Sequence, residues 1–459
     1  MKKQILASLT AFSLMAGTLA GCGGQTTNTT GSADQTGNQT IQMADSSEVN
    51  GTTITFWHSM GGVNGEAVTA LVDKFNSENE FGITVEAQYQ GEYDDSINKL
   101  KSAQMGNLGA DLVQIYEIGT RFMIESGWAV PMQNMIDADN FDTSKLEENL
   151  LAYYTIDDKL YSMPFNSSTP LMYYNKDMFE KAGITEVPTS LEGILEIGDK
   201  LMNEGGAKQA ISLGIYGWFY EQFLGKQGLD YVDNGNGRDD IATKVVFDEN
   251  GGAENIMTVW KELYDAGYAP NVGKGGDSGL AEFSAGTSAI TLGSTASLKQ
   301  ILQDVNGKFE VGTAYFPSVK DSDEGGVSIG GASLWALNNN DPKKLRATWE
   351  FVKFLISAES QAFWNAQTGY FPVTTEAHEQ EVFKSNIAEY PQFQTAIDQL
   401  HDSSPEYTGA LLSVFPEARA EVESKIEGML NGDTDIPTTV TELATSINEM
   451  IEEYNLLNS

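Results

Sequence analysis

Met163-Pro-Phe-Asn-Ser-Ser-Thr-Pro170, continued by Leu171-Met-Tyr-Tyr-Asn-Lys-Asp-Met-Phe179, is the stretch on which the fold turns. A Pro-marked extended segment runs into an apolar, aromatic strand, and Asn175-Lys176-Asp177 opens a short helix that ends near Gly183. Four small polar residues, Asn166 to Thr169, sit between the hydrophobic halves. A buried hydroxyl or amide is costly unless it finds a partner. The patch is therefore either a surface turn or the wall of a polar pocket. Taken alone, a surface turn is the commoner outcome. As a crossing between two lobes, the same patch would line the cleft.

The chain on either side is α/β. Upstream, Thr53 to Phe56 alternates as a strand; Val68, Leu71, Val72 and Phe75 share one helical face; Ile83, Val85, Ala87 and Tyr89 alternate again. A helix from about Tyr93, the apolar strand Leu112–Tyr116 and a helix stopped by Gly127 complete a rhythm that implies a mostly parallel sheet. Ligands of such sheets sit beyond the carboxyl ends of the strands, where Trp57-His58-Ser59 and Glu117 lie.

Downstream, Thr189-Ser-Leu-Glu192 reads as a capping box for a helix expected over about 190 to 203, and Gly217-Trp218 follows a strand. The strand beginning at Ala289 leads to a second small polar patch, Gly293-Ser-Thr-Ala-Ser297. Gly330-Gly-Ala-Ser333 leaves backbone open to a ligand's approach. Asp341-Pro342 caps and starts a helix; Gly369-Tyr370 ends another; Pro416 opens a third, with Arg419 within its first turn or so. Asp233 to Asp240 looks like a calcium loop, but no register supplies the ligands, the glycine and the closing Glu together, so it reads as a surface turn.

Residues 1 to 21 have the form of an export signal: Lys2 and Lys3, an apolar run from Ile5 to Leu19, then Leu19-Ala-Gly-Cys22. The run is too short for a spanning helix. The last four residues resemble a bacterial lipobox, which would make Cys22, the only cysteine, the lipidated first residue of the mature protein. Residues 22 to 51 read as a disordered polar linker tethering the body to the cell membrane from the extracytoplasmic side.

The 459 residues carry 65 acidic against 27 basic side chains, a formal charge of −38 that deepens when Lys2 and Lys3 leave with the signal. That balance argues against nucleic-acid binding. His58, His378 and His401 are far apart without metal-ligand spacing, and no nucleophile elbow or Walker loop is present. No metal or cofactor is expected, and a binder is favoured over an enzyme. An exported hydrolase would need a metal or nucleophile constellation that the sequence does not offer.

Phe56-Trp-His-Ser-Met60, Gln114-Ile-Tyr-Glu-Ile-Gly-Thr120, Pro164-Phe-Asn-Ser-Ser-Thr-Pro170, Tyr173-Tyr-Asn-Lys-Asp177, Gly330-Gly-Ala-Ser-Leu-Trp335 and Gln367-Thr-Gly-Tyr370 together resemble the family 1 extracellular solute-binding proteins, and within it the glycerophosphate branch. The Tyr-Tyr-Asn-Lys-Asp run is general to the family; the Trp-His-Ser-Met and Phe-Asn-Ser-Ser-Thr-Pro runs are more specific to that branch. The resemblance spans about Thr52 to Arg419. It implies a monomeric binding protein that captures glycerol 3-phosphate or a glycerophosphodiester between two lobes and delivers it to ABC permease subunits with a cytosolic ATPase. A sugar or oligosaccharide binder of the same fold is the alternative.

The resemblance places Tyr93, Glu117, Ser168, Ser294, Gly331, Tyr370 and Arg419 in the cleft, and Trp218 can close one wall by stacking on glycerol carbons. Arg419 would fork onto phosphate; the hydroxyls and the Gly331 backbone would complete its shell; Glu117 would accept from glycerol hydroxyls. Singly, each has a plainer explanation: turn residues for the serines, core packing for Tyr370 and Trp218, a surface ion pair for Glu117. One departure stands out. The family commonly has a second Trp three residues before Trp218, where this chain has Ile215. A smaller wall there would leave room for a diester such as glycerophosphocholine.

The expected architecture is a two-lobed α/β fold of the type II periplasmic-binding-protein kind. Lobe 1 takes residues 52–166 and 293–340, and lobe 2 takes 167–292 and 341–459. The crossings fall near 164–169, 291–295 and 338–342.

Overall fold

The computed structural model describes residues 42–105, 109–404 and 407–458. The signal segment, Cys22 and the linker up to residue 41 lie outside the described residues. Residues 41–459 form one compact unit.

The strands of its two main sheets are, in chain order, β1 (Thr53–His58), β2 (Thr84–Tyr89), β3 (Leu112–Tyr116), β4 (Ala129–Val130), β5 (Met163–Ser168), β6 (Pro170–Asn175), β7 (Gln209–Ser212), β8 (Ser288–Ser294), β9 (Val311–Tyr315) and β10 (Gly330–Leu337). The first sheet has the order β2-β1-β3-β10-β4, with β5 also paired to β10. β1, β2 and β3 run parallel; β10 is antiparallel to β3 and β5. β3 is buried along its whole length, as an interior parallel strand covered on both faces must be. The second sheet has the order β9-β6-β8-β7. The chain passes from one sheet to the other at Thr169, between β5 and β6.

The helices that matter below are α1 (Gly62–Glu78), α2 (Tyr93–Met105), α3 (Leu191–Lys200), α4 (Gly217–Lys226), α5 (Gly252–Asp265), α6 (Pro342–Leu355), α7 (Ala358–Thr368), α8 (Phe415–Asn431) and α9 (Ile436–Asn458). α1 buries Ala67, Val68, Leu71, Val72 and Phe75, the stripe expected from its spacing. The Ser190 hydroxyl accepts from the Gly193 N–H at the start of α3, and the Asp341 carboxylate accepts from Lys343 and Lys344 N–H at the start of α6. α8 and α9 pack on each other and on α5.

The expected division of the chain is wrong in three places. First, β9 lies in the second sheet, not in lobe 1: it pairs antiparallel with β6, Val311 opposite Asn175 through Tyr315 opposite Leu171. The return to the first sheet therefore falls between Tyr315 and Gly330, and Ser294 ends β8 without leaving for a lobe 1 strand. Second, α6 and α7 do not belong to lobe 2, and the chain does not cross at 338–342. α6 lays its apolar face on β1, β10 and α1, with the Phe351 ring 5.7 Å from Phe56 and 5.0 Å from Phe75. Third, the body begins before Thr52. Ala44 N–H donates to Pro342 O at 3.0 Å, the Arg346 Nε donates to Ala44 O at 2.9 Å, and Val49 is fully buried. The linker expected to reach residue 51 is thus folded against α6 over its last residues.

The Asp233–Asp240 segment is a turn, as expected. Asn234, Gly235 and Asn236 all have positive φ. Arg238 anchors it by donating to the carbonyls of Gly409, Tyr153 and Thr408.

Candidate functional site

The polar patch of the opening stretch is not a surface turn. Asn166, Ser167, Ser168 and Thr169 are all buried. Their backbone is satisfied by β10, with Gly330 opposite Ser168 and Ala332 opposite Asn166, and by Phe371 N–H donating to Ser167 O. The side chains find partners far away in sequence. Gln114 donates to the Asn166 carbonyl oxygen at 2.6 Å and accepts from Ser59 N–H; the Asn166 amide donates to the Tyr93 hydroxyl at 2.8 Å. The Tyr93 ring stacks on Tyr116 at 5.2 Å. Both rotation and position of Tyr93 are thereby fixed, and its hydroxyl also meets that of Tyr370.

A cavity of about 220 Å³ lies against this patch. All eight residues singled out from the sequence line it: Tyr93, Glu117, Ser168, Trp218, Ser294, Gly331, Tyr370 and Arg419. Their elements explain the convergence. Ser168 ends β5 and Ser294 ends β8, facing Pro170 in register, while Thr295 N–H donates to Thr169 O. The Ser294 hydroxyl accepts from Ala296 N–H, which leaves its proton free to donate. Tyr370 follows the left-handed Gly369 at the end of α7, and its ring stacks with Trp364 at 5.9 Å. Burial raises the hydroxyl pKa values of Tyr93 and Tyr370, so both stay protonated donors.

Arg419, in the first turns of α8, is held by two carboxylates. Its Nη2 donates to Glu117 Oε1 at 2.8 Å; Nε and Nη2 donate to Glu221 Oε1 and Oε2, each at 2.8 Å. The guanidinium lies 5.7 Å over the Tyr216 ring and 5.9 Å over Phe415. Gly217 permits this packing, since a Cβ there would fall 2.3 Å from Arg419 Cγ. The expected fork from Arg419 onto a phosphate is thus already occupied by Glu221.

The sequence reading missed Tyr116, Tyr216, Phe219, Asp277 and Ser297, which also line the cavity, and Glu221 behind Arg419. Burial raises the pKa of the Asp277 and Glu221 carboxyls. Ile215 requires a correction. It is fully buried, its backbone bridges Gly273 and Gly275, and it does not line the cavity. The aromatic neighbours of Trp218 at the cavity are Tyr216 and Phe219, each with ring centroids 6.1 Å from it. A Trp at position 215 would enter the core, so Ile215 opens no extra room in the cleft for a diester. Among the described residues, no group of three or more His, Cys, Asp and Glu is placed to hold a metal ion, and no helix is long and apolar enough to cross a membrane.

Two α/β lobes with a polar cleft at their crossing, lined from strand ends, are the architecture of solute-binding proteins. The profile described as bacterial extracellular solute-binding protein matches residues 70–395, and the chain belongs to that family. It is 32% identical over 393 residues, 83% of this chain and 88% of the relative, to the sn-glycerol-3-phosphate-binding periplasmic protein of Salmonella typhimurium, and 31% identical over the same length to that of Escherichia coli. The fold matches UgpB from Mycobacterium tuberculosis in complex with glycerophosphocholine, with a TM-score of 0.74 at 22% identity, covering 89% of this chain and all of that one. It also matches the GacH receptor of Streptomyces glaucescens, with a TM-score of 0.71 at 20% identity, covering 87% and 98%.

Proposed function

We propose that this protein is the substrate-binding component of an ABC importer and that it captures glycerol 3-phosphate or a glycerophosphodiester. The observation that carries the reading is the sorting of donors around one cavity. Uncharged donors cluster at the crossing: the hydroxyls of Tyr93, Ser168, Ser294 and Tyr370 and the uncovered backbone of Gly331. Such a set can hold a phosphate without a formal counter-charge. The Glu117–Arg419–Glu221 group offers acceptors and donors side by side, which suits the hydroxyls of a glycerol. Arg419 then reads hydroxyls rather than phosphate, a change of role from the sequence-based expectation. Ligand held between the lobes favours a hinge-closed state that a permease can recognise.

A second reading, a sugar binder, draws on the aromatic surfaces of Tyr93, Tyr116, Tyr216 and Trp218 around the same charged group. Calorimetric titration with glycerol 3-phosphate, glycerophosphocholine and maltose separates the two. Binding of either phosphate compound without maltose is the expected result. Maltose binding with neither phosphate compound bound would overturn the ligand assignment.

Cys22 is the proposed lipid anchor, on the strength of the Leu19-Ala-Gly-Cys22 run behind the export signal. Labelled palmitate is expected in the wild-type protein and absent from Cys22→Ser; equal labelling of both would remove the anchor.

A further inference from the structure

We propose that Glu221 sets the charge preference of the cleft: by sharing Arg419 with Glu117 it makes the site accept singly charged phosphodiesters and discriminate against doubly charged phosphate monoesters. The inference rests on the reading of the cleft as a phosphate-compound site and names which class that site prefers.

The geometry is that of one guanidinium between two carboxylates. Glu221 takes Arg419 in a two-point grip and Glu117 takes Nη2 from the other side. The side chains of Arg419, Glu117 and Glu221 are 9%, 7% and 13% exposed. Further groups face this trio from every element around it. Glu423, one turn along α8, accepts from Gly217 N–H at 3.0 Å. Asp277 lines the cavity, and Asp94 on α2 accepts from the Tyr116 hydroxyl. The Tyr153 hydroxyl donates to Glu117 O, and Tyr216 and Tyr231 lie alongside. Arg238 stacks on Tyr153 at 5.0 Å with its donors given to carbonyls. Lys274 is paired with Glu427. Acidic groups outnumber Arg419 before any ligand enters.

A phosphodiester adds one negative charge at any pH near neutral. A monoester adds about one at pH 5.5 and approaches two at pH 7.5, because its second pKa is near 6. Beside carboxylates as buried as these, each added like charge is felt strongly. The penalty is relieved when a proton accompanies the monoester. Glu221 is placed to take it: burial raises its pKa, and it also borders a second cavity of about 120 Å³ shared with the exposed Asp230 and Gly228. Protons can therefore reach Glu221 without passing the ligand.

The test is calorimetric titration of the protein with glycerophosphocholine and glycerol 3-phosphate at pH 5.5 and 7.5, in wild type and Glu221→Gln. In wild type the affinity ratio of diester to monoester is expected to rise about tenfold or more between the two pH values, since one linked proton shifts affinity about tenfold per pH unit. In Glu221→Gln the ratio is expected to stay within about threefold. If Glu221 only positions Arg419, the variant weakens both ligands alike and the wild-type pH trend persists, which overturns the proposal. A flat ratio in wild type overturns it too. Should the variant fail to fold, wild type decides: at pH 7.5 the monoester is expected to take up about one proton on binding, read from titrations in two buffers of different ionisation enthalpy, while its bound phosphorus NMR shift stays that of the dianion; a bound monoanion shift, or equal uptake for monoester and diester, refutes the proposal. If neither phosphate compound binds wild type at either pH, the ligand assignment falls and this inference falls with it. Binding of both with an unmoved ratio removes the inference alone.

Discussion

Arg419→Ala is expected to abolish ligand binding and to destabilise the protein by about 3–5 kcal/mol at neutral pH, the usual cost of breaking a buried ion pair from one side. The cost comes from what remains. Glu117 and Glu221 would be left facing each other in a buried site, with Glu423 close behind. Packing adds to it: the arginine stem lies on Gly217 and its guanidinium on the rings of Tyr216 and Phe415. The sign of the pH dependence follows. Arg419 lowers the pKa of Glu221 against the upward push of burial; without it the carboxyl climbs further and protonates as the pH falls, so the gap between variant and wild type narrows toward acid. Arg419→Lys keeps the charge but not the two-point geometry and is expected to fall between. Arg419→Ala with Glu221→Ala should recover part of the loss, because the unpaired carboxylate is removed with its partner. Urea midpoints at pH 7 and pH 5 decide. A single variant that unfolds at the wild-type midpoint would show that the trio carries no net structural weight.

The contrast between Arg419 and Glu221 shows where the sequence was legible. Ser168 and Ser294 were legible as strand carboxyl ends, positions that pattern alone can find, whereas Gly331 near the amino end of β10 and Tyr370 beyond α7 came only from the resemblance; one cavity is lined by all four. Glu221 was legible in part: it follows Trp218 by three residues, so the two share a face of α4. Nothing local said that the face would meet Arg419, 198 residues away. Asp277 lies in a glycine-rich loop without periodicity, where no rule assigns direction. Asn166 read as a turn residue because polarity is visible in a sequence while its partner Gln114, 52 positions away, is not.

The lobe assignments of β9 and α6 failed for a related reason. Alternation and amphipathicity tell which face of an element is buried, not which sheet buries it. Val311–Tyr315 would suit an edge in either sheet. Only the antiparallel register with Leu171–Asn175 settles it.

Gly331→Ala is the second substitution with a large expected effect, on both fold and binding. Gly331 has φ +91°, and a Cβ there would fall 1.9 Å from the carbonyl oxygen of Asn166. The obstacle is backbone, so no side chain can swing aside. Relief requires β10 to separate from β5 at the irregularity between Ala332 and Ser333, and that pairing is what holds Asn166 and Ser168 in place. The chain of hydrogen bonds from Gln114 through Asn166 to Tyr93 would shift with it. Backbone strain alone costs about 1–3 kcal/mol, and the lost strand pairing adds to that. Gly127→Ala separates the contributions. Gly127 has φ +65° at a helix end with nothing within 4 Å of an added Cβ, so it should show only the left-handed penalty of about 1–2 kcal/mol and bind ligand normally. Thermal unfolding and titration of the two variants side by side are the measurement. If both lose the same stability and both still bind, the close approach of β10 to Asn166 is not what builds the cleft; if Gly331→Ala alone loses binding, the glycine is there because the donors of the patch can converge only where two backbones touch.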